Sequence, residues 1–247
     1  MSPSPSDIAL LVAGASTAGF VQGLAGFGFG MVSMSFWAWG LVPQQAAVLA
    51  TVGGLIGQML AVLTVRRGFD AALLWPFVAG GLCGLPLGLL LLQHADVTLF
   101  RAFVGTLLAV WCPVMLLSDR LPPLRGGGRW ADALAGAAGG VMGPLGGFTG
   151  TLPSLWCTLR RWDRDRQRAT MQNFNLALLG ATSLAYVGRG LATVEVLPAL
   201  AVVAASLVPT ALLGMRLYVG ISEARFRQVV LSLLTASGVA MLLSLLR

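Results

Sequence analysis

The chain has 247 residues, of which 57% are hydrophobic and 10% charged, and its formal net charge is +7. A water-soluble domain carries roughly a quarter charged residues, so a soluble fold is excluded and an all-α, polytopic transmembrane bundle is expected. All sixteen basic residues are arginine, grouped in short stretches between apolar runs. That pattern excludes nucleic acid as a partner, which needs a contiguous basic face, and reads instead as membrane topology.

The leader before Ile8 has no basic residue ahead of the first apolar run. It lacks the basic region of a cleaved signal peptide, so the first segment is expected to stay in the protein. Apolar stretches then run over 8–42, 46–65, 71–92, 99–117, 133–159, 169–187, 196–218 and 229–246. About 20 residues cross about 30 Å of hydrocarbon, and six of the stretches fit one crossing each. The stretches 8–42 and 133–159 are too long. Glycine interrupts both, at Gly23, Gly26, Gly28 and Gly30 in the first and at Gly139, Gly140, Gly143, Gly146, Gly147 and Gly150 in the second. Glycine at this density breaks a helix, and broken backbone at membrane depth survives only where protein covers it or it lines a wet cavity. The alternative use of the same glycines is close helix packing; Pro144 favours a true break in the second cluster.

The two clusters head halves that resemble each other. Gly23 and Gly26 match Gly140 and Gly143, Ala47 and Thr51 match Ala169 and Asn173, and Gly88 and Arg101 match Gly214 and Arg227, each pair at equal spacing. Two repeats are therefore expected, 1–124 and 125–247, each made of a broken segment and three spans.

The arginines orient them. Strongly basic connections hold Arg66 and Arg67; Arg120, Arg125 and Arg129; Arg160, Arg161, Arg164, Arg166 and Arg168; and Arg216, Arg225 and Arg227. Those near His94 and near Arg189 with Glu195 are close to neutral. All basic connections fall on one side only if both glycine-broken segments enter the membrane and return to the side they left. Each half then crosses an odd number of times, the halves are inverted, and both termini face outward, with Arg247 as the single exception.

The glycine-rich first segment followed by Pro43 and Ala46 to Thr51, repeated as Gly140, Gly143, Gly146 and Gly147 followed by Arg168 to Asn173, resembles the sulfite exporter TauE/SafE family of bacterial permeases. The likeness spans essentially the whole chain. It departs at Pro144 and in the longer charged loop before Arg168. The resemblance implies a multi-pass protein of the bacterial inner membrane that exports sulfite, another sulfur oxyanion or a small organosulfonate such as sulfoacetate. A carrier of another small solute and a non-transporting assembly subunit stay open as alternatives.

A small anion leaving water needs donors that do not trap it. Helix N-termini offer unpaired N–H groups and a partial positive charge, and inverted-repeat transporters bring two such ends together near the midplane. The expected anion site comprises Gly26, Gly28, Gly30 and Ser33 at the first break and Gly143, Gly146, Gly147, Thr149 and Thr151 at the second. Thr51, Gln172, Asn173 and Asn175 on the following spans supplement it. Interhelical hydrogen bonding, worth about 0.6 kcal/mol each, is the other use of these side chains, and Gln58 reads as packing. Arg189 either draws anions or snorkels to headgroups. Arg101 and Arg227 are expected to anchor span ends, as are Trp75, Trp130, Trp156 and Trp162.

The nine carboxylates all lie at segment ends or in connections, and His94 sits in a connection. Proton and sodium coupling commonly use intramembrane acids, so uniport or weakly coupled export is expected. Catalysis at membrane depth lacks its groups, so no enzyme activity is expected. Cys83, Cys112 and Cys157 are far apart, with one histidine in the chain, so neither a metal nor a cofactor is expected. The partners are a small anionic substrate and membrane lipid, and a homodimer is left open.

Overall fold

The computed structural model describes residues 5–64, 68–124, 126–217 and 223–246. Residues 1–4 of the leader, Arg66, Arg67, Arg125 and Arg247 lie outside them, as does the Arg225 side chain. The described residues form ten α-helices: α1 (Pro5–Ala25), α2 (Phe29–Trp37), α3 (Pro43–Thr64), α4 (Ala71–Gln93), α5 (Val97–Leu117), α6 (Gly128–Met142), α7 (Thr151–Leu159), α8 (Arg164–Gly188), α9 (Leu197–Leu217) and α10 (Glu223–Ser244). There is no strand among the described residues.

Three of the acids at segment ends are helix caps. The Asp70 carboxylate accepts from the Ala72 and Leu73 amides at the start of α4, Asp96 accepts from Leu99 at the start of α5, and Asp163 accepts from Asp165 and Arg166 at the start of α8. Each satisfies donors that the first turn leaves open.

Six helices are long and apolar enough to cross a membrane, lying over Asp7–Ala25, Pro43–Thr64, Ala71–Gln93, Val97–Leu117, Val194–Leu217 and Phe226–Ser244. This differs from the expected set in two places. The first helix of the opening broken segment is itself of spanning length. The helix over 169–187 falls short because Gln172, Asn173 and Asn175 dilute its apolar character. Leucines and valines on the outer faces, among them Leu87, Leu91, Val110, Leu213 and Leu233, are exposed, which suits hydrocarbon and not water.

Both broken segments double back. The Trp37 indole at the end of α2 donates to the Leu10 carbonyl near the start of α1 at 3.1 Å. At the end of α7, the Trp156 indole and the Arg160 guanidinium both donate to Asp132 near the start of α6, at 2.7 and 2.8 Å. Chain entry and exit therefore lie at the same end of each hairpin.

The most extensive helix pairings map onto one another on exchange of the halves. Helix α1 runs parallel to α9, with Gly19 against Leu207 and Gly23 against Ala211; α6 runs parallel to α4, with Gly80 against Ala133 and Gly88 against Val141. Helices α3 and α8 pair antiparallel through Thr51 with Tyr186 and Gln58 with Gln172. So do α5 and α10, through Gly105 with Leu242 and Met115 with Arg227. Backbone carbonyls stand where a Cβ on Gly23, Gly84, Gly88 or Gly140 would lie, so these glycines serve close packing. Different glycines make the breaks: Gly28 caps α2 at φ 97°, and Gly146 and Gly147 have φ 147° and 72°.

Helix α3 is central, with Ala46 through Thr51 all fully enclosed. Arg101 and Arg227 are more than edge anchors. Arg101 donates to the Ala38 and Trp39 carbonyls and closes the end of α2, while Arg227 donates to the Met115 carbonyl and Ser118 and ties α10 to the end of α5. Trp75 and Trp130 are exposed, as interfacial residues should be. Trp156 and Trp162 are not: Trp156 bonds Asp132, and Trp162 packs edge-on against Phe77 beneath the Arg160 and Arg166 guanidinium groups.

Candidate functional site

The two hairpin tips meet. A Cβ on Gly30 would lie against the Gly146 carbonyl, and one on Gly147 would touch Ala50 and Thr51 of α3. The small residues of α3 let both tips sit beside it. Between the tips is a cavity of about 50 Å³, against the about 10–15 Å³ that one water requires. Its walls come from α1 (Gln22), the first break (Phe27 to Met31), α3 (Gly54, Gln58), α5 (Trp111, Met115), the second break with α7 (Gly147 to Thr151, Ser154) and α8 (Asn175, Leu179). Among the described residues, no carboxylate or histidine lines it.

The residues that open α2 line this space from the first tip. The first hydrogen bond inside α2 is donated by the Val32 amide to the Gly28 carbonyl at 3.1 Å. The amides of Phe29, Gly30 and Met31 precede it and have no acceptor within their own helix, and all three residues line the cavity. The helix dipole adds a partial positive charge at the same point.

The second tip is not its equal. The Thr151 amide is engaged by the Phe148 carbonyl, Pro153 has no N–H, and the helical bonds of α7 begin with Ser154 donating to Gly150. Side chains compensate there. Thr149 Oγ1 donates to Asn175 Oδ1 at 2.9 Å, which fixes the Asn175 amide with its Nδ2 donor free of that bond.

Of the residues expected from sequence, Gly28, Gly30, Gly147, Thr149, Thr151 and Asn175 line the cavity. Gly26 lies one step back in the first break, where its amide bonds Gln22, and Gly143 and Gly146 form the turn behind the second. Ser33 bonds the Gly30 carbonyl, and Asn173 bonds the Ala169 carbonyl, each within its own helix. Thr51 meets the Tyr186 hydroxyl. Gln172 is buried, with its carbonyl accepting from Gln58. Sequence reasoning missed Gln22 and gave Gln58 a packing role; a glutamine inside an apolar helix was the available signal for the first.

The cavity shares Phe27, Gly28, Met31, Trp111 and Met115 with an apolar chamber of about 70 Å³ that reaches Arg227. An apolar-surfaced helical bundle that keeps a partly polar cavity, with no acid on its walls among the described residues, at the meeting of two helix breaks has the architecture of a membrane transporter. Residues 10–241 match the sulfite exporter TauE/SafE family, and the chain belongs to that family. It is thus a multi-pass membrane protein of a family of transporters, not enzymes, whose substrates are of the sulfur-anion type. No curated protein and no solved structure matches the chain.

Proposed function

We propose that the protein exports a small sulfur-containing anion across the bacterial inner membrane by alternating access, binding it in the cavity between the two hairpin tips. The observation that carries this is that Phe29, Gly30 and Met31, whose amides have no acceptor within α2, line a cavity in which no carboxylate is found among the described residues. Such donors replace part of an anion's hydration without a buried full charge, so the anion is held and still released. The Asn175 amide supplies a side-chain donor from the opposite tip.

Residues 1–124 and 125–247 act as two inverted repeats in this reading. Two observations support it: the pairing pattern survives exchange of the halves, and the self-paired helices α3 with α8 and α5 with α10 run antiparallel. A two-fold axis that reverses spanning helices lies in the membrane plane. Arg120, Arg129, Arg160, Arg164 and Arg166 then lie on the cytoplasmic side by the charge bias. The chamber toward Arg227 leads to the same side, so this conformation is open inward.

Purified protein in liposomes should release trapped sulfite under an imposed potential, in competition with external sulfoacetate and not with chloride. No proton gradient should be needed, because the cavity has no acid to carry the proton. Flux of chloride in preference to sulfite would overturn the substrate reading, and absence of any flux would leave only an assembly role.

A further inference from the structure

The last helices of the two halves carry one motif. Phe100, Arg101 and Met115 to Ser118 on α5 recur at identical spacing as Phe226, Arg227 and Met241 to Ser244 on α10. The two helices pair antiparallel, so each arginine lies at the level of the other helix's Met-Leu-Leu-Ser end. Only one end uses the match. Arg227 donates to the Met115 carbonyl and to Ser118 Oγ, and Ser118 is 1% exposed beneath it. At the other end Ser244 is exposed and bonds the Met241 carbonyl of its own helix. Arg101 donates instead to the Ala38 and Trp39 carbonyls at the foot of the first hairpin.

The rest of the pair is unequal in the same sense. Phe226 and Val230 are half-buried and line the apolar chamber, while their counterparts Phe100 and Val104 are buried. Helix α2 packs against both α5 and α10, whereas α7, its counterpart, makes no comparable contact with either among the described residues. Two copies of one motif in two environments are what a two-state cycle between inverted repeats leaves in a single conformation, and exchange of the environments gives the other state. On the reading of this protein as an alternating-access transporter, we propose that Arg101 and Arg227 are the exchanging contacts of its cycle. In the outward-open state Arg101 takes the Met241 carbonyl and Ser244, and Arg227 passes to the carbonyls that follow α7. The 118–120 turn, which Arg227 already touches, packs against α7 and keeps that step short.

The serines test this, because each serves an arginine in one state only. Ser118→Ala removes an acceptor that Arg227 uses now, and Ser244→Ala removes one that only its own helix adjoins now. With Cys83, Cys112 and Cys157 replaced, the reporters are Val230→Cys in the chamber and Val104→Cys at the counterpart position. An impermeant thiol reagent labels the first in inverted membrane vesicles and the second in spheroplasts. The ratio of the outer rate to the inner rate reads the equilibrium between the two states. Ser118→Ala should raise that ratio about fivefold and Ser244→Ala should lower it about fivefold, each variant losing one hydrogen bond in one state.

An unchanged ratio in Ser244→Ala overturns the proposal, because Arg101 then never reaches Ser244. A shift of both variants in the same direction overturns it as well. Either result with sulfite flux intact leaves the anion cavity and alternating access standing. No outer labelling of Val104→Cys in any variant, with sulfite flux absent, removes the alternating-access reading itself. Ser244 is exposed and bonds only its own helix, so Ser244→Ala decides the matter even if Ser118→Ala does not fold.

Discussion

The Tyr186 hydroxyl ties three elements together. It donates to the Pro144 carbonyl at 2.6 Å and meets Thr51 Oγ1 at 3.4 Å, from a side chain that is fully buried. The turn before the second break has few neighbours that can satisfy its carbonyls, and this one relies on α8. Tyr186→Phe keeps the ring and leaves the Pro144 carbonyl buried without that donor, which costs about 1–3 kcal/mol. Unfolding in detergent should register the loss as a lower midpoint. An unchanged midpoint would mean that the turn holds itself without Tyr186.

At the scale of elements, the hairpins are braced at both ends. Their feet are held by Trp37 on Leu10 and by the Asp132, Trp156 and Arg160 cluster; their tips rest on each other at Gly30 and Gly146. The Gly30 contact has no slack, because the facing atom is backbone. Gly30→Ala should separate the tips, with overpacking of about 1–3 kcal/mol and a transport rate reduced at least about tenfold. Gly180→Ala, in α8 with open space where the Cβ would go, is the matched control and should leave both stability and flux close to those of the parent. Equal behaviour of the two variants would refute the tip contact.

The whole molecule sorts its connections into two ends. The α2–α3 and α4–α5 connections meet at one end, where Gln44 donates to the Leu92 carbonyl and Arg101 closes α2. Arg160, Arg161 and Arg227 lie at the other, where Leu124 pairs with Leu159 and Arg161 with Leu121. With Cys83, Cys112 and Cys157 replaced, single cysteines at Val42 and His94 should react with an impermeant maleimide from one side of the membrane. Cysteines at Arg129 and Arg164 should react only from the other. Labelling of Arg129 and Arg164 from opposite sides would mean that the second broken segment crosses fully.

The sequence by itself determined that this chain lives in a membrane, where five of its spans fall and where its helices break, because hydrocarbon selects segment by segment on apolar length and a broken turn favours glycine or proline. It misjudged 8–25, which is of spanning length, and 169–187, which is not apolar enough. The arginine pattern carried the doubling back of 8–42 and 133–159 for the same local reason. Which side chains face the anion cavity was decided only by tertiary structure. Asn173 and Asn175 are two positions apart on α8, about 200° around a helix of 3.6 residues per turn, so one bonds its own backbone while the other reaches the cavity. Likewise Gln22 is held in the cavity wall only because α3 brings the Gly54 carbonyl to its amide across Gly57, a pairing between residues far apart in the chain that no local pattern encodes.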